Sequence, residues 1–278
     1  MNKASDILRL GKQILKDAGC ESYGFDASCI FEYCYGFSRA ELFLDPDRQL
    51  DEGRFLSLCK KRAGGYPLQY ILNSWQFMGL DLYVDARVLI PRADTETLAE
   101  YIISRGGRPR ILDMCTGSGC IGIALSHYMD GARVTLADIS EDALEVAAKN
   151  AKACGADVDI VRADLLDGYE KYFERGAFDI IVSNPPYIKS GDRGTLSPEV
   201  LCEPHIALFG GDDGLTFYSA LIEKWKGAIS PDGIMVLESG YDTWQDIGSL
   251  FEKAGYTDVE YKKDVGGITR LVCAKNGK

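Results

Sequence analysis

Phe178-Asp179-Ile180-Ile181-Val182-Ser183 runs directly into Asn184-Pro185-Pro186-Tyr187, and this junction decides how the chain is read. The first six residues are a short apolar run of the kind that forms a buried strand. Proline has no backbone N–H and fixes its own φ, so two in succession end the strand and stiffen the chain beyond it. The expected product is a rigid corner at a strand's carboxyl end, carrying an amide side chain and an aromatic ring. In open α/β sheets that edge is where ligands bind.

On both sides of the junction, strand runs alternate with helical ones, which predicts a mainly parallel sheet with helices on both faces. The strands fall at Arg110 to Met114, Val134 to Asp138, Asp157 to Val161, Phe178 to Ser183 and Ile234 to Glu238, with Thr257 to Tyr261 and Thr269 to Ala274 closing the chain. Helices fit at Cys120 to Met129, Glu141 to Cys154, Gly214 to Ala228 and Thr243 to Ala254. Lys189 to Asp213 is rich in Gly and Pro and reads as a long loop over the site, placed as a lid would be. Upstream, residues 1–74 read as a small helical domain. Ser5 is the expected cap of its first helix, and Ser38 with Glu41 has capping-box spacing. The alternating stretch from Trp75 to Asp85 predicts a β-hairpin, and residues 75–92 connect to a catalytic-type domain over 93–278.

The formal charge of −11 and the pI near 4.8 argue against a protein that tracks nucleic-acid backbone, which needs basic surface. Nine cysteines without a CxxC pair, beside only two histidines, suggest reduced thiols and support no zinc site. The charged N-terminus is unlike a secretory signal, and the longest uncharged stretch, Met114 to Met129, falls short of a membrane span. A cytoplasmic protein with no membrane partner and no stable nucleic-acid binding is expected.

The first strand of the sheet ends in Asp113-Met114-Cys115-Thr116-Gly117-Ser118-Gly119-Cys120-Ile121-Gly122. Glycines there let the backbone turn sharply into a helix and approach a ligand closely. Gly117, Gly119 and Gly122 also match GxGxxG, and Asp138 follows Gly117 by 21 residues, as in a dinucleotide fingerprint. Two features oppose that reading. A dehydrogenase has no need of the Asn-Pro-Pro-Tyr corner, and a pyrophosphate turn has no use for the carboxylate of Asp113. A sulfonium ligand with a cationic amino group does. Asp138 can accept hydrogen bonds from both ribose hydroxyls, and Asp164 suits an adenine amino group.

Together these residues resemble the class I S-adenosylmethionine-dependent methyltransferases, which implies a Rossmann-like sheet of seven strands with the last one antiparallel. Asn-Pro-Pro-Tyr after the fourth strand is similar to the motif of enzymes that methylate planar nitrogens, either base amino groups or a glutamine amide. Such a nitrogen is a weak nucleophile because its lone pair is delocalised. Acceptors that fix both N–H bonds turn the lone pair toward the methyl group. Asn184 and the Pro185 carbonyl are two such acceptors, and Tyr187 offers a stacking face.

Over nearly its whole length the chain resembles the PrmC/HemK family, which methylates the glutamine of the Gly-Gly-Gln motif in class-1 peptide release factors. The resemblance is carried by Arg62 to Leu72, Leu89 to Leu98, Ile111 to Leu125, Ala137 to Ser140, Asn184 to Tyr187, Glu203 to Tyr218 and Gly266 to Val272. It departs at Cys115, where the family usually has glycine, at Ala93 and Asp94 in place of Pro and Glu, and at Asn73 in place of a common Gly. The resemblance implies that Asp113, Thr116, Gly117, Ser118, Gly119, Cys120, Ile121, Asp138, Asp164, Leu165 and Asn184 line a pocket for S-adenosylmethionine. It implies that Asn184, Pro185, Pro186 and Tyr187 hold the glutamine, with Arg92, Thr95 and Glu96 bordering it. The implied partner is a class-1 release factor, docked by the helical domain. The rival readings are a nucleic-acid amino methyltransferase, a nicotinamide-dependent dehydrogenase and a non-catalytic cofactor-binding protein.

Overall fold

The structure is a computed structural model that describes residues 1–277. The chain forms two compact units, Met1–Ser74 with Ser197–Cys202, and Trp75–Leu196 with Glu203–Lys278.

The first unit packs five helices: α1 (Ala4–Asp17), α2 (Tyr23–Tyr35), α3 (Arg39–Leu44), α4 (Gly53–Ala63) and α5 (Leu68–Leu72). Ile7, Leu8, Leu15, Ile30, Phe31 and Phe55 form its core. Ser5 does not cap α1. A two-residue strand pair, β1 (Asn2–Lys3) with β2 (Gln49–Leu50), brings backbone acceptors to the helix start, so Ala4 N donates to Arg48 O and Ser5 N to Pro46 O. Those bonds satisfy first-turn N–H groups that a side-chain cap would otherwise take. At α3 the capping box between Ser38 and Glu41 is present. The short helix Pro198–Leu201 also belongs to this unit. Arg62 explains why: its buried guanidinium bonds Asp26 at 2.7 Å and Glu199 at 2.8 Å. The stretch expected as an open loop is therefore broken into the turns Ser190–Thr195 and His205–Ala207 around an anchored segment.

The second unit opens with the hairpin β3 (Trp75–Phe77) and β4 (Leu80–Leu82). Then follow α6 (Glu96–Arg105), β5 (Arg110–Met114), α7 (Cys120–Tyr128), β6 (Arg133–Asp138), α8 (Glu141–Cys154), β7 (Val158–Arg162), β8 (Phe178–Ser183), β9 (Ile229–Glu238), β10 (Thr257–Lys263) and β11 (Thr269–Lys275), with helices at Thr216–Lys224 and Trp244–Lys253. The seven-stranded sheet has the order β10-β11-β9-β8-β5-β6-β7, and β11 is antiparallel to both neighbours. One apolar core, with Leu98, Ile123 and Val182, covers one face; a second, with Leu112, Tyr218 and Trp225, covers the other. Burial on both faces explains why β5 and β8 read as nearly continuous apolar runs.

Register then places the site. Ser183 at the end of β8 is paired with Met114 of β5 and Leu237 of β9. The next residue of each strand, Asn184, Cys115 and Glu238, therefore stands at one level of the carboxyl edge. Asp138 joins the row because Ala137 pairs with Met114.

The corner after β8 is held from outside. Ile188 N donates to Leu208 O at 2.9 Å, and Gly210 N returns a bond of 2.9 Å to Ile188 O. A Cβ on Gly210 would stand 2.5 Å from Pro186 O, and one on Gly214 only 2.4 Å from Tyr187 O. Gly214 is also left-handed, at φ +76°. In that region an L-residue costs about 1–2 kcal/mol before any clash. Gly214→Ala is therefore expected to destabilise the protein by about 2 kcal/mol or more, read as a lower urea midpoint. An unchanged midpoint would mean that this turn does not clamp the corner.

Candidate active site

A cavity of about 240 Å³ opens at the carboxyl edge of the sheet. Its wall is made by Cys115 and Gly117 after β5, Asp138 to Ser140 after β6, Ala163 to Leu166 after β7, and Asn184 with Pro186 after β8. Val88, Leu89, Ile206, Ala207 and Phe217 complete an apolar lining. Successive strand ends thus contribute the polar groups Asp138, Asp164 and Asn184.

The loop between β5 and α7 is built on Asp113. Its Oδ2 accepts from Thr116 Oγ1 at 2.6 Å and from Gly122 N at 2.9 Å, while its buried Oδ1 has no partner among the described residues. Burial pushes the carboxyl up to about 7, against the pull of those two hydrogen bonds. Asp138 Oδ2 accepts from Gly117 N and its Oδ1 from Ser140 N, both at 3.0 Å, so each oxygen keeps a further lone pair. Burial also raises the Asp138 carboxyl. Asp164 Oδ1 accepts from Leu166 N at 2.8 Å, an Asx turn that shapes the tip after β7. Asn150 on α8 braces the loop from behind, with Nδ2 donating to Ser118 O and Tyr83 O and Oδ1 accepting from Tyr83 N.

Of the residues expected at a cofactor pocket, Gly117, Asp138, Asp164, Leu165 and Asn184 line the cavity. Asp113, Thr116, Ser118, Cys120 and Ile121 are buried, and these residues together with Gly119 do not line the cavity. Cys115, where a glycine is usual by resemblance, lines the cavity at φ 59°, a left-handed conformation that explains the glycine.

At the corner itself, Asn184 Nδ2 donates to Thr95 Oγ1 at 3.3 Å. Its Oδ1 and the carbonyl of Pro185 accept no hydrogen bond among the described residues. Pro185 and Pro186 are buried. Tyr187 is half-buried, and burial beside Glu238 raises its phenol. Arg92 pairs with the buried Glu203, which also accepts from Ile90 N at 3.1 Å. Asp94 pairs with Arg270 at 2.8 Å. Glu96 accepts from Met78 N at 2.7 Å, which anchors the hairpin turn, and it does not line the cavity. Residue-by-residue reading missed Glu203 and Glu238 as site residues. For Glu203 a signal existed in the stretch from Glu203 to Tyr218; for Glu238, only its place as the last residue of a buried strand.

Comparison with known proteins fits this geometry. A model of the methyltransferase small domain matches residues 93–208, and one of the PrmC N-terminal domain matches residues 6–72. Release factor glutamine methyltransferase from Clostridium acetobutylicum is 35% identical over 99% of this chain and 99% of its own length. That from Deinococcus radiodurans is 33% identical over 97% of each. The chain belongs to the release factor glutamine methyltransferase family. Among solved structures, a methyltransferase from Pyrococcus furiosus shares the fold, with a TM-score of 0.54, 21% identity, and coverage of 73% of this chain and 91% of its own.

The cofactor of this methyltransferase family is S-adenosylmethionine, and the residues present fit it. Asp113 Oδ1, buried and unpartnered, calls for a positively charged donor. Asp138 has lone pairs to spare for hydroxyls, and Ile139, Ala163 and Leu165 offer apolar surface to a flat ring. Nothing lies within 4 Å of where a Cβ on Gly117 would stand, so the loop is open there.

Asp113 gives a pH prediction. Its carboxyl ionises near 7 when folded, above its ordinary 3.8, so the folded chain holds a proton that the unfolded chain releases between those values. Stability from this group is full below pH 3.8 and is lost as pH rises through 7. Asp113→Asn is expected to raise the melting temperature at pH 8, by at most about 4 kcal/mol of stability, with the gain fading toward pH 4. Calorimetry across that range checks it; a gain independent of pH would refute the burial argument.

Proposed function

We propose that the protein transfers a methyl group from S-adenosylmethionine to the side-chain amide nitrogen of the glutamine in the Gly-Gly-Gln motif of class-1 peptide release factors. The observation that carries this reading is Asn184. Its amide stands at the cavity wall with Nδ2 committed to Thr95, in a chain related along its full length to release factor glutamine methyltransferases. The helical unit of residues 1–74 docks the release factor, and the methyltransferase domain follows the hairpin connector. A cytoplasmic setting is supported by nine cysteines that are all free thiols.

When bound, S-adenosylmethionine supplies an electrophilic methyl group on a sulfonium. The chain's task is to position and polarise. Asn184 Oδ1 and the Pro185 carbonyl accept the two amide hydrogens of the substrate, which turns the nitrogen lone pair toward the methyl. The same two dipoles stabilise positive charge as it develops on nitrogen, without reorganising, because the corner is clamped by residues 208–214. Tyr187 stacks on the flat amide, and Pro186 closes the wall. On the cofactor side, Asp138 takes the ribose hydroxyls, and Asp164 with Leu165 borders the adenine. The Asp113, Thr116, Gly117, Ser118, Gly119, Cys120 and Ile121 loop holds the charged amino-acid end. Arg92, Thr95 and Glu96 support the rim.

Methyl transfer from labelled cofactor to a class-1 release factor, beside the same factor with its Gly-Gly-Gln glutamine changed to alanine, tests the reading, with DNA and RNA in parallel. Label on the intact factor alone is expected. Label on nucleic acid instead would replace this reading with base methylation. Asn184→Ala is expected to lower kcat by roughly 10²–10³, by analogy with losing one preorganised transition-state partner. Turnover within a few-fold of wild type would remove Asn184 from the mechanism. Asp138→Ala is expected to raise the KM for the cofactor, and an unchanged KM with a lower kcat would contradict its assignment.

A further inference from the structure

Glu238 is the last residue of β9, level with Asn184, and it is fully buried with Oε2 lacking any partner among the described residues. A carboxylate in that position is costly unless it does something there. Neutralising Arg270 is not a sufficient reason, because that guanidinium already pairs with Asp94 at 2.8 Å and Asp264 at 3.2 Å. The hydrogen bonds around Glu238 offer another. Thr95, itself buried, hydrogen-bonds to Glu238 through its side chain, and the same Thr95 Oγ1 accepts from Asn184 Nδ2.

We infer that Glu238 is a positioning residue that sets which end of the Asn184 amide faces the substrate, acting through the hydroxyl of Thr95. A carboxylate can only accept, so it holds the single hydroxyl proton of Thr95 on its own side. The Thr95 oxygen is then left as an acceptor, and Asn184 must present Nδ2 to it and Oδ1 to the cavity. An asparagine amide is nearly symmetric in shape, so its orientation is decided by its hydrogen-bond network alone. Without the carboxylate, Thr95 can donate to Asn184 Oδ1 with the amide turned over. The amide would then offer N–H groups to a substrate whose own N–H groups need acceptors. The inference rests on the reading of Asn184 as an acceptor for the substrate amide.

Burial pushes the Glu238 carboxyl up to about 7, while Thr95 and Arg270 pull it down. The other groups that face it are Asp94 and Arg92 before α6, Tyr187 after β8, Tyr218 on the helix Thr216–Lys224 and Cys120 on α7. Both tyrosines and the cysteine are displaced upward, away from neutral pH. Asp113 ionises in the same range as Glu238, so the comparison has to be a ratio in which Asp113 is common to both proteins.

The test is Glu238→Gln against wild type, from pH 6 to pH 8.5, with release factor as substrate. At pH 8 kcat is expected to fall about tenfold or more, with the KM for S-adenosylmethionine within a few-fold. The ratio of variant to wild type should climb toward one as the pH falls below 7 and wild-type Glu238 takes up its proton. Thr95→Val is expected to give the same loss. The second readout needs no substrate: the side-chain amide resonances of Asn184, assigned by their loss in Asn184→Asp, should shift with pH in wild type and not in Glu238→Gln. A silent wild-type enzyme with a titrating Asn184 amide would sink the proposed function and leave the orientation device standing. An active wild type whose ratio to the variant is flat with pH, with Asn184 resonances that do not move, overturns the inference. If Glu238→Gln does not fold, the wild-type resonance titration and Thr95→Val decide it.

Discussion

The site depends on the abrupt end of β8. A strand hydrogen-bonded on both sides would continue for as long as its backbone could pair, and Pro185 removes the N–H that would extend it. Because Ser183 is in register with Met114 and Leu237, the chain breaks off level with the glycine loop on one side and Glu238 on the other. One more or one fewer residue in β8 would turn Asn184 to the opposite face of the sheet. Termination alone would leave a loose corner. The turn through Gly210 and Gly214 packs so closely on Pro186 and Tyr187 that no side chain fits between them, and its backbone bonds to Ile188 complete the clamp. Rigidity matters here because a planar nitrogen needs its partners held in place rather than a proton removed.

Around that corner, negative charge is gathered where burial makes it expensive. Asp113, Asp138 and Glu238 all have raised carboxyls, and in each case desolvation is the largest cause. Three such groups at one sheet edge oppose folding at neutral pH, which is a pattern of functional rather than structural acids. Cys115 adds backbone strain at the same level, with φ 59° in a non-glycine residue. The stability is recovered elsewhere, in the two apolar cores on either face of the sheet and in pairs such as Arg110 with Asp179 at its far end.

Much of this was legible in the sequence, and the reasons differ by element. Strands β5, β6 and β8 were readable because burial on both faces makes them apolar runs bounded by turn residues. The α3 start was readable because a capping box is a local device whose two halves are three residues apart. The start of α1 was not, since its N–H groups are satisfied by carbonyls of Pro46 and Arg48, more than forty residues away in sequence. Residues 197–202 were equally opaque: their membership of the helical unit turns on Arg62 and Glu199, an ion pair that no local pattern announces.

The same distinction explains which site residues could be named in advance. Gly117, Asp138 and Asn184 occupy turns that follow strands, so sequence position already implies the sheet edge. Glu238 and Thr95 become meaningful only through a chain of hydrogen bonds joining residues from three separate stretches, each with an unremarkable local reading. Direct contact with a ligand leaves a motif, because a residue type is then required at a turn. Control of a contact leaves none, because any scaffold position able to reach the contact residue can supply it. Orientation of a near-symmetric amide is the extreme case, since the two states differ by no atom position that packing can sense and only by which neighbour owns a proton. A fold that places a buried carboxylate one strand away from its acceptor residue can settle that question without touching the substrate.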